Sequence, residues 1–207
     1  MKLALRQAEQ IIGNTGTNPA VGCVLIKNGS LIAAASTSKN GRPHAEHNAI
    51  INAKNLIKNA IMFVTLEPCS HYGKTAPCVN KIIKKKIKKV FFSMRDPDKR
   101  SFNKSLNLFK KKSIKVDIGT NFNEIKDFYR SYIKFKKNVL PFVSAKLAVS
   151  KDYYTKDKRK KWITNSYSRG RVHILRSSHD CILTSVKTIL DDNPSLDCRI
   201  NGLENNS

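Results

Sequence analysis

Pro43-His44-Ala45-Glu46, then Thr65-Leu66-Glu67-Pro68-Cys69, then Pro77-Cys78 is the run of sequence on which every other part of the chain depends. One imidazole and two thiolates fill three corners of a zinc tetrahedron and leave the fourth for water. Glu46 follows His44 by two residues, a spacing that keeps the two side chains off a common helix face. The imidazole of His44 can therefore serve the metal while the carboxylate of Glu46 reaches a water and a substrate. Cys69 and Cys78 are expected to bind as thiolates, and a helix beginning at Cys78 would favour that ionisation. A purely structural zinc site would need a fourth Cys or His. His47, expected on a helix surface, and His71, expected in a loop, are the nearby candidates.

The order His-x-Glu, Pro-Cys, Cys is that of zinc deaminases acting on aminated heterocycles, in which the Glu moves protons and is not a ligand. Nucleic-acid deaminases usually close the site with Cys-x-x-Cys, whereas Ser70 to Pro77 separate Cys69 from Cys78 here. The wider loop, Pro-Cys-Ser-His-Tyr-Gly-Lys-Thr-Ala-Pro-Cys, closely resembles that of the riboflavin-biosynthesis deaminase domain, the pyrimidine deaminase that precedes a reductase in a bifunctional bacterial protein. Asn18-Pro19-Ala20-Val21-Gly22-Cys23-Val24 and Met94-Arg95-Asp96-Pro97 add to the resemblance, which continues past Pro141. It implies one Zn2+ per chain on His44, Cys69 and Cys78, with Glu46 as acid/base. The implied substrate is 2,5-diamino-6-ribosylamino-4(3H)-pyrimidinone 5′-phosphate, which loses its 2-amino group as ammonia. By the same resemblance Asn18 holds the pyrimidine, His71 contacts substrate and Lys74 lies near the ribose phosphate. The role of Glu67 stays open between orienting the metal loop and approaching the ring. A family His falls at Thr37 here, a departure that bears on substrate affinity.

Outside that stretch the composition bounds the possibilities. The chain has 207 residues, enough for one domain and part of a second, and 40% hydrophobic content, enough for a core. No apolar run reaches the roughly 18 residues of a membrane span, and the mixed Met1–Ile12 segment does not read as a secretory signal, so a cytoplasmic protein is expected. Five scattered cysteines suit metal ligation and packing better than a disulfide framework. The formal charge of +24, from 39 Lys and Arg against 15 Asp and Glu, attracts phosphorylated ligands. The Lys81–Lys89 run carries no aromatic residue for base stacking, so a solvated helix face is expected there and nucleic acid is not the expected partner.

Taken in order, Leu3, Leu5, Ala8, Ile11 and Ile12 predict an opening amphipathic helix ended by Gly13. Val21–Ile26 and Ser30–Ala35 read as strands joined at Lys27-Asn28-Gly29, a hairpin signal. Helices are expected over 45–57, 78–87, 102–111 and 123–132, and strands over 61–65, 90–94 and 114–118. Strands alternating with helices predict an α/β domain with three α/β/α layers over residues 1–134; the resemblance makes it cytidine-deaminase-like.

Residues 135–140 read as a linker. Residues 141–207 resemble the opening third of a dihydrofolate-reductase-like domain, with Pro141–Ala148 as its first strand, which makes the segment a truncated one. Trp162, Arg176, Thr188, Asp192 and Arg199 match reductase cofactor or substrate positions by that resemblance. The family's Ser-Leu-Asp-Gly-Lys reads Ser150-Lys151-Asp152-Tyr153-Tyr154 here, and a substrate Ser is replaced by Lys160. Reductase activity, and NADPH binding, are expected only if a separate reductase chain completes the segment. An oligomer is compatible with the family. The rival readings are a tRNA or other nucleic-acid deaminase, and an inactive remnant that needs a partner reductase.

Overall fold

The Lys27-Asn28-Gly29 turn closes a hairpin between β1 (Gly22–Lys27) and β2 (Ser30–Ser36), with Asn28 and Gly29 at φ +49° and +77° as a tight hairpin turn requires. The structure, a computed structural model, describes residues 1–138, 140–155 and 162–203. Among them five strands form one sheet in the order β2-β1-β3-β4-β5, completed by β3 (Ile61–Leu66), β4 (Lys89–Met94) and β5 (Lys115–Ile118). β1 runs antiparallel to both β2 and β3, while β3, β4 and β5 are mutually parallel. Parallel neighbours need crossovers, and α3 (Cys78–Lys84) and α4 (Lys104–Lys111) supply them.

The register assigns the helices to faces. Cys23 pairs with Val64, Leu25 with Met62, Met62 with Val90 and Val64 with Phe92, and all six are buried. Against this face pack α2 (Ala45–Asn52) through Ala49 and Ile50, α3 through Val79 and Ile82, and α4 through Phe109. Gly22 and Thr65 look to the other face, where α1 (Lys2–Glu9) lies so close that Gly22 sits against the Ala4 carbonyl. Tyr129, between α5 (Phe122–Phe128) and α6 (Arg130–Lys136), also reaches that face, by a 2.6 Å hydrogen bond to Thr65. The result is the expected three-layer arrangement.

Several boundaries differ from expectation for local reasons. The first helix stops at Glu9, and the second gives way to a short 3-10 turn over Lys54–Ile57 with Lys54 at φ +49°. The predicted 102–111 helix begins at Lys104 because Asn103 takes a left-handed conformation. The predicted 123–132 helix is two, broken at Tyr129, and the second runs to Lys136, into the segment read as a linker.

The chain divides into two compact units, Met1–Phe142 and Val143–Ser207. In the second unit α7 (Ser166–Ser177) is capped by Asn165 and α8 (Val186–Asp192) by Ser185, each side chain accepting a backbone N–H. No strand forms over 141–148: a strand is defined by its hydrogen-bonded neighbour, and none pairs there among the described residues. Lys160 lies outside the described residues. Among those described, no helix is long and apolar enough to cross a membrane.

Candidate metal centre and active site

β3 and β4 run parallel, and the chain leaves their carboxyl ends as Glu67-Pro68-Cys69 and Arg95-Asp96-Pro97. The crevice beyond such strand ends is where α/β sheets place ligands. α2 begins just after His44 and α3 begins at Cys78, so two helix starts and one strand end converge. His44 Nδ1 lies 3.5 Å from Cys69 Sγ and 3.4 Å from Cys78 Sγ, and the three donor atoms all fall within 4.8 Å of one another. With metal–sulfur and metal–nitrogen bonds of about 2.3 and 2.0 Å at tetrahedral angles, the nitrogen–sulfur edge should be about 3.5 Å. The donor set therefore fits a zinc ion in both chemistry and spacing.

Electrostatics agree with that fit. A hydrogen bond from the Cys78 thiol, joined by His44, pushes Cys69 down to about 4, while the same pairing and burial push Cys78 up. The Cys78 backbone N–H also points at Cys69 Sγ, 3.3 Å away. A thiol held this low at Cys69 is ready to bind a divalent cation as thiolate. Glu46, 3% exposed, is pushed up to about 7 by burial, with His44 opposing and Cys69 reinforcing the rise. It sits within electrostatic reach of all three ligands, where an acid/base must be.

His47 and His71 do not join the ligand group. His47 is half-buried with its Nδ1 against Lys81 Nζ, and burial lowers its pKa. His71 is half-buried with its Nδ1 2.9 Å from Ser101 Oγ. Lys74 is exposed in the same loop. Asn18 packs against Gly41, where an added Cβ would lie 2.4 Å from Asn18 Nδ2. Thr37, at the family His position, is buried; the Val21 N–H donates to its hydroxyl at 3.0 Å. In the Lys81–Lys89 run Lys84, Lys85, Lys86 and Lys88 are exposed and Ile82 and Ile87 turn inward as expected, but the helix predicted to reach residue 87 ends at Lys84, with Lys86 at φ +56°.

Some residues at the site carried no sequence signal. Arg42 donates to Thr75 Oγ1 at 2.6 Å and so reaches the metal loop from the other side of a cis Arg42–Pro43 bond. Glu67, whose role the sequence leaves open, gathers two donors from the β4–α4 loop and one from Ser105 in the first turn of α4, partners brought near only once β3 and β4 are neighbours. Ser70 Oγ and Asn103 Oδ1 are buried without a protein partner.

In the second unit Arg176 donates to the Asp197 carbonyl at 3.0 Å, and Arg199 pairs with the Asp197 carboxylate. Thr188 and Asp192 share α8, Thr188 within the cap formed by Ser185. Trp162 lies under the Arg169 guanidinium, 4.9 Å from the ring centre.

Residues 1–94 match the cytidine and deoxycytidylate deaminase zinc-binding region, and residues 141–207 match the RibD C-terminal domain. The riboflavin biosynthesis protein RibD of Bacillus amyloliquefaciens is 37% identical over 202 residues, covering 97% of this chain and 54% of that protein. The Escherichia coli K12 protein is 34% identical over 206 residues, covering 99% and 56%. The crystal structure of a diaminohydroxyphosphoribosylaminopyrimidine deaminase/5-amino-6-(5-phosphoribosylamino)uracil reductase from Thermotoga maritima superposes with a TM-score of 0.90 at 37% identity, covering 98% of this chain and 59% of that one. The chain thus spans about half the length of the curated relatives it matches.

Proposed function

Because the chain belongs to the RibD family of riboflavin-biosynthesis proteins, we propose that residues 1–134 are a zinc-dependent pyrimidine deaminase. The reaction is hydrolysis of 2,5-diamino-6-ribosylamino-4(3H)-pyrimidinone 5′-phosphate to 5-amino-6-ribosylamino-2,4(1H,3H)-pyrimidinedione 5′-phosphate and ammonia. The observation that carries this reading is the His44, Cys69 and Cys78 donor triangle with buried Glu46 beside it.

Zinc held by those three side chains supplies Lewis acidity that makes water a nucleophile near neutral pH. Glu46 accepts the proton that the attacking water gives up, passes it to the ring nitrogen, and assists the departing amine. A buried carboxylate with a raised pKa suits both directions of that transfer. Asn18, seated on Gly41, pairs with the polar edge of the pyrimidine. Lys74 meets the phosphate as a point charge, and His71 contacts the substrate beside it. For residues 141–207, reduction with NADPH through Trp162, Arg176, Thr188, Asp192 and Arg199 is proposed only where a separate chain supplies the rest of a reductase domain.

The test is ammonia release by zinc-loaded protein offered either the diaminopyrimidine phosphate or tRNA. Release from the pyrimidine alone is expected. Release from tRNA alone overturns the assignment in favour of a nucleic-acid deaminase.

A further inference from the structure

Glu67 lies two residues before Cys69, yet its oxygens are occupied by the β4–α4 loop and the start of α4. The Ser105 hydroxyl donates to Oε1 at 2.6 Å, and the Asp96 and Asn103 backbone N–H groups donate to Oε2 at 3.3 and 3.2 Å. Glu67 is 3% exposed, Ser105 is fully buried and Asp96 is buried, so the Ser105 and Asp96 arms of the hub are shielded from water. The segment they belong to, 95–105, is the β4–α4 loop with the first residues of α4, and it carries Ser101, itself fully buried, whose hydroxyl lies 2.9 Å from His71 Nδ1. The loop has other ties, but they lead elsewhere. Asp96 accepts the Asp98 N–H and the Tyr132 hydroxyl, and Asp98 accepts Arg100 and Lys136, which bind the loop to itself and to α6.

We propose that Glu67 is a positioning residue: a hydrogen-bond hub that seats the 95–105 loop on the end of β3 so that Ser101 fixes the His71 ring. With Nδ1 engaged by Ser101, the ring presents Nε2 to a ligand in one orientation. The inference rests on the reading that His71 meets the substrate. It assigns Glu67 no proton transfer and no place on the metal. What matters is keeping the three hydrogen bonds, not negative charge. Glutamine can keep that pattern by turning its oxygen to the two backbone N–H groups and donating its amide to the Ser105 oxygen, which also accepts. Alanine cannot, and it leaves the Asp96 and Asn103 N–H groups without their acceptor, the first of them buried.

The test uses the zinc-loaded full chain with Glu67→Ala, Glu67→Gln and Ser101→Ala. The readouts are zinc content, amide hydrogen exchange of the 95–105 loop, and the separate effects on kcat and KM for the pyrimidine phosphate. Glu67→Ala should keep its zinc, speed exchange of the Asp96 and Asn103 amides by about tenfold or more, and raise KM by a similar factor while kcat changes less. Glu67→Gln should restore both readouts to near the parent values. Ser101→Ala should raise KM while loop exchange stays slow. If Glu67→Gln is as damaging as Glu67→Ala, charge and not the hydrogen-bond pattern is at work and the proposal fails. Unchanged exchange in Glu67→Ala also overturns it. Should that variant not fold, Ser105→Ala removes one arm of the hub, and a smaller rise in exchange is expected; no rise overturns the proposal. If the parent protein releases no ammonia, the deaminase reading fails, whereas the exchange arm still decides what Glu67 does.

Discussion

The Tyr129 hydroxyl lies 2.6 Å from Thr65 Oγ1 inside the core and donates onward to the Ala20 carbonyl at 2.9 Å. Because the Tyr129 proton goes to Ala20, the Thr65 hydroxyl donates to Tyr129 while accepting the Gly22 N–H at 3.1 Å, and the four groups form one directional relay. The relay ties the α5–α6 junction to β3 and to the segment that leads into β1. Tyr129→Phe strands the Thr65 hydroxyl and the Ala20 carbonyl and should cost about 1–3 kcal/mol, as should Thr65→Val. The double variant should cost less than the sum, because each single change leaves a buried partner unpaired that the other would remove. Denaturant unfolding of the four proteins checks this; strict additivity would mean the relay is not a unit.

The metal centre makes a sharper separation. Glu46→Gln should keep one zinc per chain while ammonia release falls by about 10²–10⁴-fold, the usual contribution of a positioned acid/base. His44→Ala and Cys78→Ser should lose zinc and activity together. Chelation should lower the melting temperature of the parent protein, since an ion that binds only the folded state stabilises it. Metal analysis beside the ammonia assay distinguishes these cases, and a Glu46→Gln protein without zinc would place Glu46 among the ligands.

Much of this was legible in the sequence, and the reason is locality. Asn28-Gly29 dictates its own backbone, and His44, Glu46, Cys69 and Cys78 declare their chemistry by type and order. The relay was not legible, because Thr65 and Tyr129 are 64 positions apart and Ala20 and Tyr129 are 109 apart. Glu67 stands in the Thr-Leu-Glu-Pro-Cys motif, but its partners belong to the β4–α4 loop and the start of α4, which only the parallel pairing of β3 and β4 brings near. At the α5–α6 junction Tyr129 is buried, its hydroxyl committed to the same long-range partners. Pro141–Ala148 shows the converse, a strand-like sequence that finds no strand partner among the described residues.

Asp96 predicts a pH dependence. Burial, reinforced by Asp98 and Glu67, pushes its carboxyl up to about 6 from an ordinary value near 3.8, against the bonds from the Asp98 N–H and Tyr132. A carboxyl that holds its proton more tightly when folded makes the folded state bind more protons than the unfolded one between those two values. Stability from this group is therefore full below about pH 4 and is lost as pH rises towards 6, in total about 3 kcal/mol. Asp96→Asn cannot titrate, so the stability difference between parent and variant should change across that window and be flat above it. Unfolding free energies at pH 4, 5, 6 and 7 check the slope; a difference that moves the opposite way removes burial as the cause.

Tyr153 holds a turn that the family builds with Gly. It sits at φ +67° and is 84% exposed, within a turn where the Ser150 N–H donates to the Tyr154 carbonyl at 2.8 Å and the Tyr153 N–H to the Ser150 carbonyl at 3.0 Å. A left-handed conformation costs a residue with a Cβ roughly 1–2 kcal/mol, and an exposed ring gives little in return. Tyr153→Gly should stabilise the turn by about 1 kcal/mol, slowing exchange of the Ser150 amide about fivefold. Tyr153→Ala keeps the Cβ and should bring no such gain, which separates backbone strain from the loss of the ring.

Gly22 predicts the largest effect on folding. An added Cβ would stand 1.8 Å from the Ala4 carbonyl oxygen and 2.9 Å from the Ala8 nitrogen, both backbone atoms of α1 that no rotamer change can move. The helix would have to lift off β1, uncovering Ala4, Leu5 and Ala8 and pulling on the strand whose Gly22 N–H feeds the Thr65 relay. Overpacking in a core typically costs about 1–3 kcal/mol, and a backbone clash on both sides of one atom should reach or pass the upper end. Gly22→Ala should therefore lower the unfolding free energy by about 3 kcal/mol or more. Because α1 is displaced as a body, the loss should come with faster exchange along Lys2–Glu9. A variant of parent stability with slow exchange in that helix would show that α1 does not press on β1 as closely as the Ala4 contact requires.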